Sequence, residues 1–351
     1  MRKPFLDNAR GSLVLLVIVY HAFYLLNSVG VIRNVDIAGI PAFDTLLAFV
    51  YPWFMTALFA IAGAGARYAL ERKGGKAFLR AKLRRVLLPS IAGIFLVGWI
   101  GGFVTLQYQP ALFGDVPMPG FVRYIILCLT GIGPLWFLHE LFLCDLVVLL
   151  LRRVDRRDAL GRLGERAGLP ALLLLTAAVF LSAQVLNTPV MEVYRNGIYI
   201  LCFLLGYEVL CHERVQTLLV RAAPALVAAA VVLCAAFAAL HYGESYCTMS
   251  VLRSPLACVC AWIGTLAVFA GFGRWANRET CFTRHMRQNG FAYYVLHLPL
   301  MLLCALALDR ALHAPAIVIY PALILLEALL LPPLAALLRR IPVLRTLLLG
   351  L

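Results

Sequence analysis

Apolar residues run in blocks of about 20 along nearly the whole chain, separated by short polar stretches, and that spacing predicts helices long enough to cross a bilayer. About ten such blocks are present, near residues 11–30, 46–66, 86–106, 134–151, 169–186, 193–210, 219–240, 255–273, 290–309 and 316–338. A further apolar run, 121–131, is too short to cross and is broken by Gly131, Gly133 and Pro134, so it predicts an interfacial or re-entrant piece on the outer side. Gly63 and Gly65, set among alanines, predict close helix packing. The tail after Leu338, RRIPVLRTLLLGL, predicts a short interfacial segment with basic anchors. The expected fold is all-α, a polytopic integral-membrane helical bundle forming one domain over residues 1–351.

Composition sharpens this picture. Of the 351 residues 63% are hydrophobic and 14% charged, and the mean hydropathy is +0.90, which excludes a water-soluble domain of this size. The net charge of +14 is no sign of nucleic-acid binding, since no soluble face gathers the basic residues; they lie beside the membrane spans. Of the 31 Lys and Arg residues, 26 fall at the N-terminus, in the stretches after spans 2, 4, 6 and 8, and at the C-terminus. The opposite side holds only Arg33, Arg123, Arg195, Arg253 and Arg310. By the positive-inside bias both termini are cytoplasmic. The first apolar run is too long for a signal peptide and lacks a small-residue cleavage site, so it is expected to stay as a helix. Of the 10 cysteines, Cys144, Cys202, Cys234, Cys258, Cys260 and Cys304 fall inside predicted spans, where a thiol behaves as a small hydrophobe. There is no CxxC, and no metal is expected.

The candidate chemistry begins in FLDNARGSLVLLVIVYHAFYLL, Phe5 to Leu26. Eleven helical steps of about 100° bring the chain back to within roughly 20° of its starting direction, so Arg10 and His21 share one face, about 16 Å apart along the axis. Arg10 then stands at a membrane surface and His21 near mid-bilayer. Asp7 falls on nearly the same line and can pair with Arg10. An ionisable residue in hydrocarbon costs on the order of 3 kcal/mol, so an intramembrane histidine reads as functional, the plainer reading being a neutral histidine bonded to a neighbouring helix.

These residues carry a resemblance. LDNAR followed by ten residues and His21 resembles the R-x10-H signature in the first helix of the acyltransferase-3 family of integral-membrane O-acyltransferases. In Arg67–Pro89, expected as the most basic cytoplasmic loop, Lys82-Leu83-Arg84-Arg85 followed by Val-Leu-Leu-Pro is similar to that family's RxxR motif, with lysine for the first arginine. GPLWFLHELFLCD is similar to its LWFL segment, and QNGFAYYVLHLPLM to its late SYxxYLxH-type helix, with Asn289-Gly290-Phe291-Ala292 where serine is more usual. The resemblance implies transfer of an acyl group from cytoplasmic acyl-CoA, as co-substrate, to a hydroxyl of a carbohydrate or other envelope acceptor, in the bacterial cytoplasmic membrane. Its single-domain form is similar to the glucan-succinylating and simple O-acetylating branches.

An uncharged imidazole can take the proton of a hydroxyl attacking a thioester, which fits His21 as general base. Arg10, always charged, suits a donor phosphate, and Lys82, Arg84 and Arg85 add to that donor site or serve as a lipid-facing topology anchor. His139 and Glu140, about one and a half turns inside the outer face, line an outward pocket or form a polar pair; adjacent positions point about 100° apart. His297 reaches a depth comparable to that of His21 and reads as substrate-side or as a packing histidine beside Pro299. Asp145 and Glu327 lie within spans, and each needs a partner inside the bundle. The alternative class is a transporter or flippase in which His21, Glu140 and Glu327 form a polar relay, but no convincing repeat supports it.

Overall fold

The computed structural model describes residues 3–31, 33–114, 117–188 and 194–351, and for Leu112 the backbone only. The regular elements among the described residues are all helices, with no β-strand. In chain order the helices are α1 (Pro4–Tyr24), α2 (Pro41–Lys73), α3 (Gly75–Tyr108), α4 (Gly120–Thr130), α5 (Gly133–Val154), α6 (Ala159–Glu165) and α7 (Leu169–Ala183). They continue as α8 (Asn196–Leu210), α9 (Glu213–Leu240), α10 (Met249–Leu252), α11 (Pro255–Trp275), α12 (Cys281–Ala311), α13 (Ala316–Arg340) and α14 (Pro342–Leu349).

Seven of these, α2, α3, α5, α9, α11, α12 and α13, are long and apolar enough to cross a membrane. They correspond to seven of the ten predicted spans. The span expected at 11–30 falls on α1, which starts seven residues earlier and ends at Tyr24. Its first turns hold Asp7, Asn8 and Arg10, residues that a helix accepts readily but an apolar window does not register. The spans expected at 169–186 and 193–210 fall on the shorter α7 and α8; position 193 itself lies outside the described residues. The short run at 121–131 is the 11-residue helix α4, and the tail forms α14.

One expectation needs correction in detail. The basic stretch Arg67–Pro89 is not a loop: it is the end of α2, a single break at Gly74, and the start of α3. Gly74 has φ +73°, the left-handed conformation that glycine adopts without a Cβ clash and that commonly ends helices. Helix α3 passes through two π-helical segments, Leu83–Leu87 and Ile94–Gly98.

The chain forms two compact units, each drawn from three stretches of sequence. The first comprises Met1–Leu13, Ala48–Lys82 and Glu140–Met286. Within it α9 and α11 pack along each other, and α7 packs on α8 and α11. Small residues let α2 and α8 meet backbone to backbone: a Cβ on Gly63 would lie 2.0 Å from the Phe203 carbonyl oxygen, and one on Gly206 2.0 Å from that of Ala60. The second unit comprises Val14–Leu47, Leu83–His139 and Arg287–Leu351. There the C-terminal half of α3 packs on α4, and α14 packs on the Leu88–Gly93 turn of α3.

Candidate active site

Helix α1 is fixed at both ends. At its start the buried Asn8 donates from Nδ2 to the carbonyls of Ala276, at 2.7 Å, and Arg278, at 2.9 Å, while its Oδ1 accepts from the Thr283 hydroxyl. Thr280 caps the start of α12 by accepting the Thr283 N–H at 3.2 Å. Asn8 therefore clamps the start of α1 to the start of α12, two residues before Arg10. Sequence reading passed over Asn8 because an asparagine in an N-terminal turn has many ordinary uses. At the other end the Tyr320 hydroxyl donates to the Leu26 carbonyl at 3.2 Å and accepts the Ile40 N–H at 3.1 Å. Phe23 stacks on the same tyrosine ring, centroids 5.2 Å apart.

Between these clamps His21 meets His297. His21 Nδ1 lies 2.8 Å from the Val17 carbonyl oxygen and 3.3 Å from His297 Nε2. His297 is fully buried, and its Nδ1 lies 2.7 Å from the Tyr294 carbonyl oxygen. A carbonyl only accepts, so these bonds assign the proton of each neutral ring to Nδ1. His297 Nε2 then has a lone pair toward the His21 Nδ1–H, and His21 Nε2 keeps its own lone pair. That is the form a general base needs, with the base oriented by a second group. If His21 takes a proton at Nε2, two acceptors, the Val17 carbonyl and His297 Nε2, stabilise the imidazolium through Nδ1–H.

The surroundings hold the pair in place. The His21 ring makes edge contacts with Tyr20 and Tyr24, at 5.7 and 5.9 Å between centroids. Tyr294 packs against His297 at 5.8 Å and against Phe137 of the LWFL segment at 5.8 Å, and its hydroxyl donates to the Pro134 carbonyl. The LWFL segment thus braces the helix turn from which His297 projects.

The remaining candidates do not form one cluster. Arg10 is exposed on α1, 4.0 Å from Asp7, and a Cβ on Gly65 would lie 3.3 Å from Arg10 Nη2, so glycine leaves the guanidinium room beside α2. Lys82 reaches Asp145 at 2.8 Å; Asp145 is wholly buried, and this ion pair is the partner its position required. Arg84 and Arg85 stand exposed in the first π-helical segment of α3, their backbone covered by the end of α14 at Gly350. His139 is half-buried in the second unit, whereas Glu140 is buried in the first, and its Oε2 has no hydrogen-bond partner among the described residues. Glu327 is buried on α13, with neither carboxylate oxygen hydrogen-bonded among the described residues.

The first unit also holds a charge network that the sequence did not announce. Arg67 binds Asp158 through both terminal nitrogens, one at 2.7 Å, and binds Glu71 through Nε at 2.6 Å, with Glu208 at 3.4 Å. Asp158 lies in the linker between α5 and α6, and the Arg67 guanidinium holds its carboxyl below the usual carboxylate range. No group of three or more His, Cys, Asp or Glu side chains among the described residues has the arrangement of a metal site.

A bonded histidine pair, His297 fully buried and His21 half-buried, stands inside an apolar helical bundle of the kind that crosses a membrane. Comparison with protein families places it further: the family model described as an acyltransferase domain, that of the acyltransferase-3 family, matches residues 3–349, and the chain belongs to that family. It is a membrane acyltransferase. Comparison with curated proteins and with solved structures gives no match.

Proposed function

We propose that the protein is an O-acyltransferase that moves an acyl group from cytoplasmic acyl-CoA to a hydroxyl of a carbohydrate or other envelope acceptor. The observation that supports this reading most is the His21–His297 pair, which leaves His21 Nε2 free to accept a proton in a chain of the acyltransferase-3 family. In the reaction the acceptor hydroxyl oxygen attacks the thioester carbonyl carbon while His21 Nε2 takes the hydroxyl proton. The C–S bond then breaks, and His21 returns the proton to the departing thiolate, so ester and thiol are the products. His297 positions His21 and never touches the reacting atoms.

Arg10 is proposed to hold a donor phosphate. On the same helix, about 16 Å of rise separates it from His21, a length that an extended pantetheine arm covers. Arg84 and Arg85 are proposed to add charge at the donor's phosphorylated end, as is Lys82, whose ammonium Asp145 holds. His139 and Glu140 are proposed to line the acceptor's approach from the outer side. On this reading the reaction runs in a bacterial cytoplasmic membrane with both termini inside, an orientation that the bias of basic residues supports.

The test is transfer itself. Purified protein in proteoliposomes, given radiolabelled acetyl-CoA or succinyl-CoA together with an extracted envelope glycan as acceptor, should release free thiol, and mass spectrometry of envelope glycans should show O-acyl groups only in cells that hold the gene. Identical acylation with and without the gene, together with no thiol release, would contradict the reading.

A further inference from the structure

The break between α2 and α3 lies against a cleft of about 610 Å³, a volume in the range of small-molecule sites. Its wall includes Glu71, Gly74, Gly75 and Lys76 from the break and Arg152 and Arg153 from the end of α5, all within the first unit. Lys76, Arg152 and Arg153 are exposed, and none makes an ion pair among the described residues. The cleft's acid, Glu71, is already held by Arg67 at 2.6 Å. Elsewhere in the same basic stretch the buried Arg67 is neutralised by Asp158 and the half-buried Lys82 by Asp145. Three exposed cations without a direct ion pair among the described residues therefore line a single concavity, Arg152 also feeling the more distant Asp158 and Glu208.

The backbone adds to this. The Gly74 N–H bonds back to Leu70 and the Phe78 N–H to Gly74, both closing helical turns, and the N–H groups of Gly75, Lys76 and Ala77 have no backbone acceptor among the described residues. They lie at the positive end of a long helix. A Cβ on Gly74 would meet nothing within 4 Å, and one on Gly75 would meet Leu149 at 3.8 Å, so the backbone there is open to close approach.

We propose that this cleft is a phosphate-binding site, formed by Lys76, Arg152, Arg153 and the first amides of α3. Its ligand is an anionic phosphate ester or a diphosphate. Two sources share that chemistry: a soluble phosphorylated nucleotide, or the headgroup of an anionic phospholipid.

The experiment uses the full chain in nanodiscs and reads binding, so it does not depend on acyl transfer. Adenosine 3′,5′-bisphosphate and inorganic pyrophosphate are titrated in phosphatidylcholine discs, and retained phosphatidylglycerol is counted by native mass spectrometry in mixed discs. The triple variant Lys76→Gln, Arg152→Gln, Arg153→Gln should lose at least about ten-fold in affinity for the soluble probes, with a weaker salt dependence, if the source is soluble. If the source is lipid, the wild type ignores the soluble probes and the triple variant loses its retained phosphatidylglycerol. Gly75→Asp gives a second reading: a carboxylate suits the start of a helix and keeps the fold, yet repels an anion there. Folded variants that bind both classes of probe as the wild type does would overturn the proposal, as would a wild type that binds neither.

Discussion

His297 Nε2 stands 3.3 Å from His21 Nδ1, across 276 residues of sequence, and each ring also bonds a carbonyl of its own helix. In the proposed mechanism His297 is a positioning residue. His297→Ala should lower kcat by about ten-fold or more while leaving the donor KM near wild type, because an unsupported imidazole spends less time aligned. His297→Gln should recover part of the loss, since an amide oxygen can still accept from Nδ1–H. Steady-state kinetics on both variants decides it: an unchanged kcat in His297→Ala would make the pair a packing contact.

The Lys82–Asp145 pair predicts a rescue. Lys82→Met alone leaves a wholly buried carboxylate without its cation and should cost about 3–5 kcal/mol. Lys82→Met combined with Asp145→Asn removes both charges and should restore most of that stability, with a strong coupling between the two changes. Thermal unfolding of the single and double variants in detergent checks this. A double variant as unstable as Lys82→Met would contradict the pairing.

Asp158 carries a pH dependence. Its folded-state carboxyl ionises below the ordinary carboxylate range because of Arg67, so the pairing is fully present above that range and is lost as the pH falls through the depressed folded value. Asp158→Asn should therefore destabilise the protein at neutral pH by about 1–2 kcal/mol; Arg67 keeps Glu71, and Asp158 is partly solvated, which holds the cost below that of a fully buried pair. The gap between variant and wild type should close as the pH drops below about 4, where the unfolded chain's carboxyl titrates. A gap independent of pH would contradict the ion pair as its cause.

The sidedness is open to chemical labelling. In a Cys-free background, a cysteine in place of the exposed Asp36 should react with an impermeant maleimide added to intact cells, and one in place of Lys73 should react only after the cells are opened. The reverse pattern would invert the topology and move the proposed acceptor path to the other face.

These tests separate what a single sequence makes legible from what it does not. Hydropathy located the crossing helices because an apolar run of that length has few other uses in a folded chain. It misjudged α1, whose polar opening turns are as helical as the rest, and it read Arg67–Pro89 as a loop because charge resembles exposure, although only Gly74 interrupts the helix there. Arg10 and His21 could be placed on one face because both belong to one helix, where spacing fixes direction. His297 with His21, Lys82 with Asp145 and Arg67 with Asp158 are contacts between separate helices or segments. Nothing in local spacing encodes which distant residue will fill a partner's place.

The central claim is that His21 Nε2 takes the acceptor's proton, and the most direct measurement is turnover by His21→Ala at saturating donor, with insertion and donor affinity measured on the same preparation. The account predicts a fall in kcat of about 10² to 10⁴-fold with donor binding near wild type. Folded, inserted His21→Ala protein that still acylates at a near-normal rate would contradict it.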